Sequence, residues 1–352
     1  MTLPRVLRSQ WLYIMFAGLI VLLYMRAAPV RLSEPMGEKA AVGRPRAGAP
    51  LEWWPAELTE QRLEEIRRRD PGVIATLWAL TLTGAGMALA GLALTAHGVW
   101  TGRIRALWSC RARRLPPWSF GEIGRLLVLV LMLSSVLPFV HRAFRPFYAA
   151  GEPDPHLWIT VSMLFLDLCV ILLVLSFAIG KRASLTATLG LSSRQRLMAA
   201  SVGLQSYLMM FPWLVALLFL IVQLVHRLGW TPPIEPIQEL IFDERRPQVL
   251  ALTALLVCVV APVAEELLFR GVLYPAFRRK MSRLAAMLAS GAAFSLVHTN
   301  VVGFLPILAL GCLLAYLYER TGSLVGPLAV HIVHNSFLLG LALAFRRLLV
   351  AE

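Results

Sequence analysis

The sequence predicts an all-α protein, a polytopic transmembrane helical bundle of about eight or nine spans. Three observations predict it. Of the 352 residues, 58% are apolar and only 15% charged, against about half and about a quarter in a soluble domain. The apolar residues fall in blocks of roughly twenty, the length a helix needs to cross a bilayer. The short loops between blocks alternate between rich and poor in Lys and Arg, the asymmetry that orients membrane helices. These features exclude a disordered chain, a collagen-like chain and an ordinary cytosolic enzyme. The formal net charge is +14, from 34 Lys+Arg against 20 Asp+Glu. In a soluble protein that excess points to nucleic acid. Here the basic residues lie in separate loops and form no single patch, so no nucleic-acid partner is predicted. Three of the cysteines Cys110, Cys169, Cys258 and Cys312 fall inside apolar blocks, and none forms a CxxC pair. Neither a disulfide framework nor a zinc knuckle follows.

The first span is Trp11 to Met25. It follows Arg5 and Arg8 as a signal sequence would, but no small-residue cleavage site comes after it, so it reads as a signal anchor. A polar loop from Arg26 to Pro71 is rich in Pro and Glu, and its end, Pro55 to Asp70, has the charge pattern of a solvated or interfacial helix. The second span is Val73 to Ala96, the third Leu126 to Val140, the fourth Leu157 to Gly180 and the fifth Leu197 to Val225. The sixth begins near Val249 and runs past Glu265; the seventh is Leu284 to His298, the eighth Leu305 to Tyr318 and the ninth Leu324 to Ala344. Residues 1–125 read as an N-terminal module of two spans and a polar loop, and residues 126–352 as the core. One set of loops holds Arg103 to Arg125, then Lys181 to Arg196, then Arg278 to Arg283, then Arg320; the opposite set holds Arg142, Arg145, Arg227, Arg245 and Arg246. The richer set is predicted to be cytoplasmic, with the N-terminus inside. The reading is a multi-pass protein of the bacterial inner membrane.

Ionisable groups inside a bilayer are costly, so each one there is a functional candidate. Most spans hold few. The last third of the chain holds Glu265, Glu266 and Arg270 in the sixth span, His298 closing the seventh, and His331, His334 and Asn335 in the ninth. Glu266 and Arg270 are four apart and share a helix face, with the acid on the favoured N-terminal side. Glu265 points roughly 100° away, which leaves it free of that pair. Reckoned from the basic turn near Lys280 to Arg283, Glu265 and His298 both lie about 22 Å deep on antiparallel helices, if both run unbroken, and His331 about 14 Å from Gly322. Pro262 predicts a kink just before Glu265. A carboxylate meeting a histidine in an apolar, partly wet cavity suits general base catalysis. A second histidine and an amide across that cavity would donate hydrogen bonds to an oxyanion. Taken singly, each group has a structural reading: an ion pair, a core histidine, an interhelical clamp. Phe294 reads as packing, as do His334, Asp167 and the small-residue face Ala286, Ala289, Ser290 and Ala293. Together, so many costly groups at matched spacing point to a site.

At these residues the chain resembles the CPBP group: type II CAAX prenyl endopeptidases, bacteriocin-processing and self-immunity proteins, and their intramembrane relatives. That family carries EExxxR, FxxxH and HxxxN in order. Here they read Glu265 to Arg270, Phe294 to His298 and His331 to Asn335. Gly271 extends the first motif, and Glu319-Arg320-Thr321-Gly322-Ser323-Leu324 precedes the third. The likeness covers roughly Leu157 to Phe345. It implies an intramembrane endopeptidase acting on a membrane-bound or lipidated protein in the lipid bilayer. Carried over, Glu265 with His298 would activate water, His331 with Asn335 would stabilise the oxyanion, and Glu266 with Arg270 would shape the site. No cofactor is expected. The alternative is a zinc ion on Glu265, His298 and His331, although the chain lacks HExxH. Two other functions compete: a non-catalytic immunity protein or scaffold, and a proton-coupled transporter. Transporters tend to show two related halves, and no second EExxxR-like segment is present. The sequence sets neither the substrate nor the oligomeric state.

Overall fold

The computed structural model describes residues 60–102, 118–144, 155–180, 193–230, 236–298 and 300–350. Every regular element among them is a helix. In order they are α1 (Glu60–Arg69), α2 (Pro71–Trp100), α3 (Phe120–Phe144), α4 (Pro155–Gly180), α5 (Ser193–Arg227), α6 (Pro236–Asp243), α7 (Pro247–Arg278), α8 (Arg283–Val297), α9 (Phe304–Thr321) and α10 (Val325–Val350). Among the described residues, 7 helices are long and apolar enough to cross a membrane, and α8 is a shorter apolar helix. The chain is a multi-pass integral membrane protein. The second to ninth predicted spans each coincide with one of these helices. The first, Trp11 to Met25, lies outside the described residues, as do the loops 103–117 and 181–192.

Local chemistry explains where the helices begin and end. Asp70 closes α1 and caps α2: its Oδ1 accepts the N–H groups of Gly72 at 3.1 Å and Val73 at 3.3 Å. Pro71 takes the first helical position, where no N–H is needed. Ile66 buries itself against Val73 and Leu348, so one apolar side chain pins the charged helix α1 to the ends of α2 and α10. At the other end of the bundle, α9 stops at Gly322, whose φ of +62° is left-handed. Its N–H reaches Tyr318 O at 2.7 Å, and Ser323 Oγ then accepts the Val325 N–H at 3.2 Å to start α10. A Thr-Gly-Ser turn thus ends one helix and caps the next.

The helices α8 and α9 form a hairpin that touches backbone to backbone. A Cβ placed on Gly311 would lie 2.9 Å from Gly291 Cα, and one on Gly291 would lie 2.7 Å from Cys312 Sγ. The buried face of α8 comprises Ala286, Met287, Ser290, Gly291, Phe294 and Ser295. It overlaps the predicted small-residue face but is rotated from Ala289 and Ala293, because α7 packs on the neighbouring stripe.

The main departure from the sequence reading is α7. An unbroken helix kinked at Pro262 is predicted. Instead α7 contains two π-helical segments, Leu256–Val260 and Leu267–Leu273. Each is followed by one residue and then a proline, Pro262 or Pro275. Proline has no N–H, and its ring collides with the carbonyl four residues back. In both places the preceding residue bonds one position further back: Ala261 N–H to Leu256 O, and Tyr274 N–H to Phe269 O. Widening the turn absorbs the collision.

Buried acids clamp both ends of the bundle. At the basic end, Glu319 accepts from Tyr274 Oη at 2.8 Å and pairs with Arg278 Nε at 3.2 Å and Arg283 Nε at 3.3 Å. At the opposite end, Glu244 accepts from Arg246 Nη2 at 2.6 Å and Nε at 2.9 Å, and lies 3.2 Å from His156 Nδ1. Arg346 donates to the carbonyls of Phe242 and Glu244. This cluster ties α4, the α6–α7 loop and α10 together. The Arg246 hydrogen bonds hold the Glu244 carboxyl down to about 2. A carboxyl so depressed stabilises the fold above its unfolded value of 4.5 and loses that contribution as pH falls toward 2. The melting temperature of purified protein should therefore fall between about pH 5 and about pH 2.5, and Glu244→Gln should flatten that slope. An unchanged slope in the variant would assign the acid sensitivity to other carboxylates.

Candidate active site

The segment Ala261–Glu266, between the two π turns, packs against α4 and α10 and carries both glutamates. Glu266 is buried, and its Oε1 accepts from Arg270 Nη1 at 2.8 Å, the pair that the spacing predicts. Arg270 is fully buried. Its Nη2 donates to Gly311 O at 3.0 Å, a carbonyl at the Gly291–Gly311 contact. Its guanidinium lies 4.5 Å from the centroid of the Phe294 ring and 5.8 Å from that of Phe269. An acid, a carbonyl and two aromatic faces hold this cation away from water.

His331, on α10, joins the pair to Glu265. Its Nδ1 lies 2.9 Å from Glu266 Oε1 and its Nε2 lies 3.5 Å from Glu265 Oε2. An ionised carboxylate only accepts, so Nδ1 carries a hydrogen. A neutral ring would then turn the Nε2 lone pair toward Glu265. As an imidazolium the ring would instead present an Nε2–H toward Glu265. The Glu265 side chain is 26% exposed, against 1% for Glu266. Among the described residues none donates a hydrogen bond to Glu265 Oε2 or to Glu266 Oε2.

This corrects the expected depth of His331. The sequence sets it about 8 Å shallower than Glu265, yet the two side chains meet. The reckoning treats two turns as lying at one level and α7 as rising uniformly. The π turn Leu267–Leu273 breaks that uniform rise between Glu265 and Lys280.

His298 caps the C-terminus of α8. Its Nδ1 lies 2.8 Å from Phe294 O. A carbonyl accepts, so Nδ1 donates and Nε2 is the acceptor in the neutral ring. The His298 ring packs on Phe294 with centroids 4.7 Å apart, and His331 meets the same ring edge-on at 5.6 Å. Phe294 is therefore a wall shared by both histidines and Arg270. The FxxxH spacing, which stacks the two rings one helical turn apart, was the available signal for it.

Asn335 lies one turn beyond His331, but its Nδ2 donates to Val257 O in the first π turn, at 2.9 Å. His334 turns toward α5, with Nδ1 2.9 Å from Tyr207 Oη. Asp167, on α4, is partly buried and within electrostatic reach of Glu265. Among the described residues no group of three or more His, Cys, Asp or Glu side chains is placed to hold a metal ion. Both ring nitrogens of His331 are already directed at carboxylates.

Comparison with known proteins points to the same third of the chain. Residues 247–337 match the model of a family described as type II CAAX prenyl endopeptidase, Rce1-like. The chain is 31% identical over 90 residues to a Bacillus subtilis (strain 168) protein named "Putative membrane peptidase YdiL". That alignment takes in 26% of this chain and 37% of the relative's length. No solved structure matches the chain.

Proposed function

We propose, from the premise that residues 247–337 belong to the Rce1-like family of type II CAAX prenyl endopeptidases, that this protein is an intramembrane endopeptidase. It hydrolyses a peptide bond of a membrane-bound or lipidated protein. The observation that carries the reading is the Glu265 carboxylate. The Glu265 side chain is partly exposed, its Oε2 is buried with no donor among the described residues, and a histidine tied to a buried ion pair stands 3.5 Å away.

Glu265 acts as general base. It takes a proton from a water whose oxygen attacks the peptide carbonyl carbon. His298 Nε2, the acceptor nitrogen of its ring, orients that water. The His331 Nε2–H donates to the oxyanion as the tetrahedral intermediate forms. Glu265 then returns its proton to the leaving nitrogen as the C–N bond breaks. Glu266 and Arg270 fix the His331 ring and balance its charge. The scheme uses no metal ion. By the positive-inside argument we assign the basic end, with Arg278, Arg283 and Arg320, to the cytoplasm.

The test is substrate trapping. Membranes carrying wild type and Glu265→Gln are compared by proteomics. A membrane protein should co-purify with Glu265→Gln, and its fragment should appear only with wild type. Identical proteomes would favour the non-catalytic reading, an immunity protein or scaffold.

A further inference from the structure

We infer that Asn335 is a positioning residue: it supplies the first π turn of α7 with the hydrogen bond that Pro262 cannot make. In an α-helix the carbonyl of residue i is met by the N–H of residue i+4, and in a π turn by that of i+5. For Val257 these are residues 261 and 262. Ala261 N–H is spent on Leu256 O, and Pro262 has no N–H. Both of the donors that the helix could offer to Val257 O are therefore missing. Asn335 Nδ2 fills the place from α10 at 2.9 Å. An unmet backbone carbonyl is costly in any interior, and in a bilayer there is no bulk water to replace the donor.

The bond bears on the chemistry because of where it falls. Val257 lies eight residues before Glu265 on the same helix. The π turn sets the rotation of all that follows it. If residues 256–260 relaxed to α geometry, Glu265 would turn by about 100° relative to the start of α7. Asn335 also lies one helical turn from His331. One stretch of α10 thus holds both the neighbour of the acid and the turn that aims the acid. This role needs no contact with substrate. It rests on the peptidase reading only in its kinetic consequence.

The experiment is a double-mutant cycle on full-length protein in detergent: wild type, Asn335→Ala, Pro262→Ala and the double variant. Pro262→Ala returns an N–H to the helix, so Val257 O regains a donor in either π or α geometry. Asn335→Ala alone should lower the melting temperature by about 3 °C. It should lower kcat by about 10²-fold with KM little changed. The kinetic probe is an internally quenched peptide carrying the cleavage site of the trapped substrate. In the Pro262→Ala background the same substitution should leave the melting temperature unmoved. Equal losses in both backgrounds would overturn the proposal. So would an Asn335→Ala protein as heat-stable as wild type, or a coupled melting loss with kcat unchanged. If Pro262→Ala does not fold, the single variant decides: a melting loss together with a kcat loss supports the proposal, and the absence of either overturns it. The melting measurements need no substrate. They stand or fall apart from the peptidase reading, which Glu265→Gln trapping decides.

Discussion

Glu265→Ala and His298→Ala should each abolish proteolysis while protein level and membrane insertion stay at wild-type values. General base catalysis alone contributes about 10²–10⁴-fold. In the proposed mechanism Glu265→Ala removes the base and also the acid that returns the proton to the leaving nitrogen, so its loss should reach or exceed the top of that range. His298→Ala removes an acceptor whose ring is fixed from two sides, by Phe294 O at 2.8 Å and by the Phe294 ring at 4.7 Å. Neither change strips a buried charge of every partner. His331 keeps Glu266 at 2.9 Å in the absence of Glu265. Cleavage of the trapped substrate by purified variants is the measurement, and wild-type turnover in either one would remove that residue from the mechanism.

Arg270→Ala is expected to act on the fold itself. Removing one partner of a buried ion pair costs about 3–5 kcal/mol, because the other charge remains buried. Here the loss spreads. Glu266 keeps only His331, Gly311 O loses its donor, and Phe294 loses the cation packed on its face. The variant should show reduced abundance, a lower melting temperature and no activity. An Arg270→Ala protein with wild-type stability and turnover would refute the structural role of the pair. The two variants also separate two kinds of loss. Glu265→Ala should be silent but folded, and Arg270→Ala should be silent because the site has lost its support.

What the sequence made legible depends on distance along the chain. Apolar length revealed α2 to α5 and α7 to α10, because a bilayer demands length and little else; the eight-residue α6 is too short to leave that signal. The Glu266–Arg270 pair was legible too, since both residues ride on one helix and only local geometry decides it. The approach of His331 to Glu265 was not. It depends on the depth and rotation of two helices. Those are set by the π turns in α7, the Gly291–Gly311 contact and the Gly322 turn. Pro262 did signal irregularity, but a proline in a span predicts a kink as readily as a widened turn. Asn335 shows the limit most plainly. Its spacing from His331 put both on one face, but nothing in its own helix reveals that Val257 O, in another helix, has lost both of its donors.

The arrangement of charges also bears on how the chain enters the membrane. Glu266 and Arg270 find each other within one turn of α7, so that helix can neutralise two of its three central charges before any later segment is synthesised. A lone ionised side chain at the centre of a helix costs about 2.5–3.5 kcal/mol to insert, and a pre-formed pair softens that barrier. Glu265 has no such partner in its own helix. Its histidine arrives only with α10, the last of the described helices. Until then the acid stands without the histidine that the proposed mechanism sets beside it. On the peptidase reading, a nascent or truncated chain is thus proteolytically silent, and translation of the final described span is what arms the enzyme.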